Sequence, residues 1–143
     1  MSVPLNPASI LETAFSFWGS KVLLTAVEVG LFTTLAGRRL TGAELAKELQ
    51  FHPRANPDFF DALVAMKFLD REGDGPAAKY FNTPEGAMFL DAASPRYIGG
   101  ILIMLNARLF KFWDDLPEAL RTGRPQNEVK HGQKGMFEEL YSD

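Results

Sequence analysis

Residues 8–29, ASILETAFSFWGSKVLLTAVEV, read as one helix that is apolar on nearly every side. Asn6 and Pro7 precede it as a capping side chain and a proline suited to the first helical position, and Gly30 supplies a left-handed stop. The apolar positions Ile10, Leu11, Ala14, Phe15, Phe17, Trp18, Val22, Leu23, Leu24, Ala26, Val27 and Val29 form no single stripe. Such a helix has to be covered on several sides. A small domain covers only one side of its first helix, so the remainder calls for a second copy of the chain.

The chain has 143 residues, 46% of them apolar, which predicts one domain with a sizeable core and an appended arm. Net charge is −3. Cysteine is absent, which removes disulfides, thiolate chemistry and Cys-ligated zinc. His52 and His131 lie far apart and in no metal-type spacing, so no metal site is expected. Met1 to Pro7 has no basic start, and the first helix carries Glu12, Lys21 and Glu28. The apolar run from Tyr97 to Leu105 is far shorter than the roughly 20 residues a bilayer crossing takes. These features predict a soluble, cytoplasmic chain without membrane partners.

After the first helix, LFTTLAG makes a short helical turn and Arg38 to Leu40 a short strand. Thr41 with Glu44 has the form of a capping box, opening an amphipathic helix with Ala43, Leu45, Ala46 and Leu49. A turn at Phe51 to Pro53 leads to a helix from Pro57 to Leu69, capped by Asn56, with Phe59, Phe60, Leu63, Val64 and Phe68 inward. Gly73-Asp74-Gly75 turns a hairpin between strands Asp70 to Glu72 and Lys79 to Asn82. That order predicts a mainly α, winged helix-turn-helix-like domain, with the hairpin as wing. Thr83-Pro84-Glu85 starts another helix, and Ser94-Pro95 repeats the device for a long helix to Trp113, with Leu116 to Arg121 continuing it. Residues 1–122 are read as this domain, and 123–143 as a polar linker ending in a helical turn at Met136 to Tyr141, which the resemblance given below implies is the start of a connector to a further domain.

The winged shape suggests DNA binding, and charge argues against it. Between Arg38 and Thr83 the cations Arg38, Arg39, Lys47, Arg54, Lys67, Arg71 and Lys79 are matched one for one by Glu44, Glu48, Asp58, Asp61, Asp70, Glu72 and Asp74. The outward face of the second helix would show Asp58, Asp61, Ala62 and Ala65, and the wing tip Asp74. Carboxylates repel phosphates, and no Arg, Asn or Gln is placed to read a base edge. No nucleic-acid partner is expected.

Gly73-Asp74-Gly75 is followed by Pro76 and a strand, whereas a nucleotide loop opens a helix. The neighbouring pairs Asp114/Asp115 and Glu138/Glu139 diverge on a helix and cannot converge on one substrate. His52 falls in a turn and His131 in the linker, and no serine has a nucleophile-elbow context. No catalytic residue, cofactor-binding residue or metal ligand is assigned. The aromatic helices remain: mostly core and dimer interface, or in part a pocket for a flat apolar ligand. The candidates for that pocket are Phe15, Trp18, Met104, Asn106, Arg108, Phe110 and Trp113, with Asn106 and Arg108 as orienting groups.

The segments VEVGLFTTLAGRRLTGAELAKEL, FFDALVAMKFLDREGDG, YFNTPEGAMFL and YIGGILIMLNARLFKFWDDLPEALRTG, in this order and spacing, resemble the N-terminal dimerisation domain of S-adenosylmethionine-dependent O-methyltransferases. This is the class of the plant phenolic, hydroxyindole and bacterial polyketide enzymes. The resemblance implies a winged-helix-like bundle interlocked with its twin and roofing a substrate pocket. It also implies a separate Rossmann-like domain that carries the cofactor loop and the catalytic histidine, neither of which this sequence contains. The implied parent is a homodimer that methylates a hydroxyl of a small aromatic molecule with S-adenosylmethionine, and this chain alone would be inactive. The other readings are a winged-helix transcription regulator and a stand-alone small-molecule-binding dimer.

Overall fold

The computed structural model describes residues 5–127 and Lys130. The helical turn expected at Met136 to Tyr141 lies outside them. The chain separates into two compact units, one running to Ile103 and one from Met104 onward.

The first unit opens with helix α1 (Ala8–Glu28). Asn6 Oδ1 accepts from the Ala8 N–H at 2.9 Å, but Pro7 stands at the cap position rather than first in the helix; Gly30 takes the left-handed conformation after the helix, as the sequence predicts. Helix α2 (Leu31–Thr34) follows, then strand β1 (Leu40–Thr41) and helix α3 (Gly42–Glu48). The capping box forms: Thr41 Oγ1 accepts from the Glu44 N–H, and the Glu44 carboxylate accepts from the Thr41 N–H at 2.8 Å. Helix α4 (Asp58–Ala65) leads into a hairpin of β2 (Leu69–Glu72) and β3 (Lys79–Asn82). Helices α5 (Pro84–Phe89) and α6 (Gly99–Met104) complete the order up to the boundary.

The three strands make one antiparallel sheet in the order β1-β3-β2, with Leu40 opposite Tyr80 and Leu69 opposite Asn82. The core lies between this sheet, α2, α3, α4 and the C-terminal end of α1. Leu31, Phe32, Leu35, Leu45, Phe60, Leu63 and Leu69 are fully buried there. Leu24, Ala26 and Val27 bring α1 into it.

Local expectations needed correction in several places. Helix α4 ends at Ala65, not Leu69, because Lys67 adopts a positive φ of 64° and releases Leu69 into the sheet. Asn56 does not cap α4. The Gly73-Asp74-Gly75 turn is the first part of a longer connection that includes a 3-10 turn, Gly75–Ala77. Ser94 and Pro95 do not start a helix. The backbone there is held by successive turns, with the Ile98 N–H donating to Phe89 O at 2.9 Å, and α6 begins only at Gly99.

The second unit continues from α6 as a π-turn (Leu105–Leu109), α7 (Phe110–Phe112), a 3-10 turn (Trp113–Asp115) and α8 (Leu116–Thr122). The expected single long helix to Trp113 is therefore interrupted by a wider turn around Asn106. Gly123 ends α8 in the left-handed region. Beyond it, the Lys130 ammonium bridges Asp115 at 3.1 Å and Glu118 at 2.8 Å.

Candidate functional site

Three surfaces carry chemistry. The first is the N-terminal half of α1. Ile10, Leu11, Phe15, Phe17 and Trp18 are 47–70% exposed. Phe15 and Trp18 stand three positions apart, on one helix face. Their rings stack at 4.8 Å and 14°, and Phe17 meets Trp18 edge-on at 5.5 Å. This is a preformed aromatic platform facing solvent.

The second surface lies in the second unit. The π-turn holds Asn106 buried and Arg108 half-buried. Met104 and Phe110 are half-buried, and Trp113 is exposed. A shallow apolar groove of about 160 Å³ is lined by Leu109, Phe112, Trp113, Leu116 and Ala119. Of the residues named from sequence, only Trp113 lines it. Phe112, Leu116 and Ala119 join because the tight turn after Phe112 sets α8 beside α7, which no periodicity within either helix announces.

The third surface was missed by sequence reasoning. It is a groove of about 340 Å³ between the start of α3, the start of α4 and the hairpin, lined by Gly42, Asn56, Pro57, Asp61, Arg71, Gly75, Pro76 and Tyr80. Arg71 and Tyr80 sit directly opposite each other across β2 and β3, so they share a sheet face. Both reach Asp61 on α4: the Tyr80 hydroxyl donates to Asp61 Oδ1 at 2.8 Å, and Arg71 Nη1 donates to the same oxygen at 2.9 Å. Burial pushes the Tyr80 phenol above its ordinary value, and the bond to Asp61 adds to that rise. The Arg71 guanidinium is raised in turn by its bonds to Tyr80 and Asp61. Asp61, expected on the outward face of the second helix, meets Arg71 of the hairpin there.

Elsewhere, some surface charges are paired. Arg38 makes a two-pronged contact with Glu48, holding that carboxyl below its usual range. Arg39 pairs with Glu72 and lies over the Phe81 ring at 3.9 Å. Among the described residues no group of three His, Cys, Asp or Glu side chains is placed to hold a metal ion. Helix α1 is long and apolar enough to cross a bilayer by length and composition, although its C-terminal end packs into the core.

The profile of the O-methyltransferase dimerisation domain matches residues 11–92. The chain is 44% identical to the tetracenomycin polyketide synthesis 8-O-methyl transferase TcmO of Streptomyces glaucescens, over 85% of this chain and 35% of that protein. It is 34% identical to the N,N-dimethyltransferase OxyT of Streptomyces rimosus, over 85% of this chain and 36% of that protein. The structure is similar to human N-acetylserotonin methyltransferase in complex with SAM, with a TM-score of 0.83 and 28% identity, covering 100% of this chain and 43% of that one. The chain thus spans about a third of the length of the curated relatives it matches.

Proposed function

Because the chain belongs to the O-methyltransferase dimerisation-domain family, we propose that it pairs two copies of an S-adenosylmethionine-dependent methyltransferase and roofs the substrate pocket of that enzyme. The observation that carries this reading is the exposed aromatic half of α1. Contiguous apolar surface of this kind marks an interface, and a second copy of the chain supplies an apolar surface to meet it. We assign Phe15 and Trp18 to that contact. The winged-helix shape then serves as packing scaffold: Asp58 and Asp74 stand exposed where a DNA reader needs cations. The relatives give the transcription-regulator reading no support.

For the pocket we retain Met104, Asn106, Arg108, Phe110 and Trp113. Asn106 and Arg108 would orient a polar edge of the substrate, and the others would form apolar walls. The acceptor is a small aromatic molecule bearing a hydroxyl, in keeping with the 8-O-methyl transferase relative. The N,N-dimethyltransferase relative keeps an amine acceptor as the second reading. In this proposal residues 1–122 are the pairing module, 123–143 lead toward a catalytic domain, and the protein works in the cytoplasm, apart from nucleic acid and membrane.

S-adenosylmethionine would supply the electrophilic methyl group in such an enzyme. The described residues do not fit it. Gly73 and Gly75 follow a strand, but their connection leads into an antiparallel partner strand, with no helix start to receive the cofactor. No step of methyl transfer is assigned to this chain. Calorimetry with S-adenosylmethionine is expected to show no heat of binding, and micromolar binding would contradict the assignment. The pairing itself is tested by sedimentation: a dimer at micromolar concentration for the wild-type chain, and a folded monomer for Trp18→Glu. A folded wild-type monomer at that concentration would end the proposal.

A further inference from the structure

We propose that the groove between α3, α4 and the hairpin is a binding site for a small, neutral, planar ligand with a carboxamide or lactam edge, in which a hydrogen-bond donor and an acceptor lie side by side. The inference stands on the groove's own geometry and does not depend on the methyltransferase reading.

The floor of the groove presents both polarities together. The Tyr80 hydroxyl and Arg71 Nη1 both donate to Asp61 Oδ1. A carboxylate has about four acceptor directions and a guanidinium five N–H groups, so the pair keeps capacity on each side of the bond it makes. Arg71 Nη2 stands 3.8 Å from the fully exposed Asp74 carboxylate, beyond hydrogen-bonding distance. The Asp61 and Arg71 side chains are 37% and 33% exposed, so the pair is open to the space above it. A ligand that donates to Asp61 and accepts from Arg71 extends the bonds already there.

Charge decides the class. Asp61 and Arg71 compensate each other within 2.9 Å. A carboxylate ligand reaching Arg71 would also meet Asp61, and a cation reaching Asp61 would also meet Arg71, each a like-charge contact at short range. A neutral group with adjacent donor and acceptor meets neither penalty. The rim explains why the space persists. Gly42, Gly75, Pro57 and Pro76 have no side chain able to swing inward and fill it. A Cβ at position 42 would stand 2.1 Å from Asn56 Oδ1, so Asn56 would have to shift to admit one. The bonds that Asp61 accepts account for tying α4 to the hairpin; they do not account for a preformed space of about 340 Å³ above the tie, within the range of small-molecule sites. Proline rings and the Tyr80 ring favour a flat occupant.

The test is an amide-resolved NMR titration of the 143-residue chain with benzamide, which has both groups, and with benzoate and benzamidine, which each have one. Benzamide is expected to cause saturable shifts at Gly42, Asp61, Arg71, Gly75 and Tyr80, with a dissociation constant of about 1 mM for so small a probe. The two ions should bind about tenfold more weakly or worse. Asp61→Asn should weaken benzamide about tenfold while leaving the spectrum dispersed; should that variant not fold, Arg71→Met replaces it. Equal responses to all three probes, shifts centred elsewhere, or no saturable shift by about 10 mM benzamide would each overturn the proposal.

Discussion

On α1, Leu24, Ala26 and Val27 are at most 7% exposed, while Ile10, Leu11, Phe15, Phe17 and Trp18, earlier on the same helix, are 47–70% exposed. Both halves are apolar, and both belong to one continuous helix. The C-terminal half meets α2 and α4 and joins the core. The N-terminal half includes the larger side chains and leaves them in water. Burying a large apolar side chain is worth roughly 1.5–3 kcal/mol, so in the proposed dimer these five residues would supply much of the driving force for pairing. One helix thus has two surroundings, core at one end and, in the proposed dimer, a pairing surface at the other.

Substitutions can separate the two uses. The largest effect is expected for Val27→Glu, which forces an unpaired carboxylate into the core. It should cost about 4 kcal/mol or more and abolish the cooperative unfolding transition seen by circular dichroism. The same change at Trp18 should leave the fold within about 0.5 kcal/mol in a monomer and weaken pairing roughly thirtyfold or more, as expected for a hot-spot tryptophan. If Trp18→Glu unfolds the chain instead, the exposed half is structural and the contrast between the halves fails.

Smaller changes sharpen the same contrast, because they act within the core unit and should not touch pairing. Thr41→Ala removes the cap of α3 and should cost about 1 kcal/mol in urea denaturation, with the dimer constant unchanged. Glu44→Gln reads the other half of the capping box through pH. The Thr41 N–H and hydroxyl hold the Glu44 carboxyl below its usual range. Its contribution is therefore present above the unfolded carboxyl pKa, near 4.3, and is lost as pH falls through the lower folded value. The variant should melt below the wild type at pH 7, and the gap should close on acidification. A gap that persists unchanged at pH 2 would show that the carboxylate is not what matters.

The parts of the fold that were legible in the sequence are those set by near neighbours. The Thr41/Glu44 box, the Gly30 stop and the inward face of α4 each rest on residues within a few positions of one another; on α3, Leu45 and Ala46 are buried as read but Ala43 is exposed. Two of the misreadings have long-range causes. The apolar pattern runs on to Leu69, yet α4 stops at Ala65 because Leu69 is wanted in the sheet opposite Asn82. Ser94-Pro95 has a helix-start form, but the Ile98 N–H is taken by Phe89 O. At the candidate sites, the exposure of Phe15 and Trp18 follows from an excess of apolar residues that can be counted. The Asp61, Arg71 and Tyr80 cluster cannot be found that way, since it depends on the register of one hairpin against α4.

The sequence by itself determined that this chain is helical, that it carries a small hairpin, and that its first helix has more oily surface than one small domain can cover. Those properties follow from periodicity, capping and composition, whose energies are decided within a turn or two of backbone. Only the tertiary structure decided which half of α1 is left uncovered, where the later helix is broken by its π-turn, and that an aspartate expected in water lies beside an arginine and a buried tyrosine. The last depends on strand register, where a slip of one residue would turn every side chain to the opposite face, and the first on packing between distant segments.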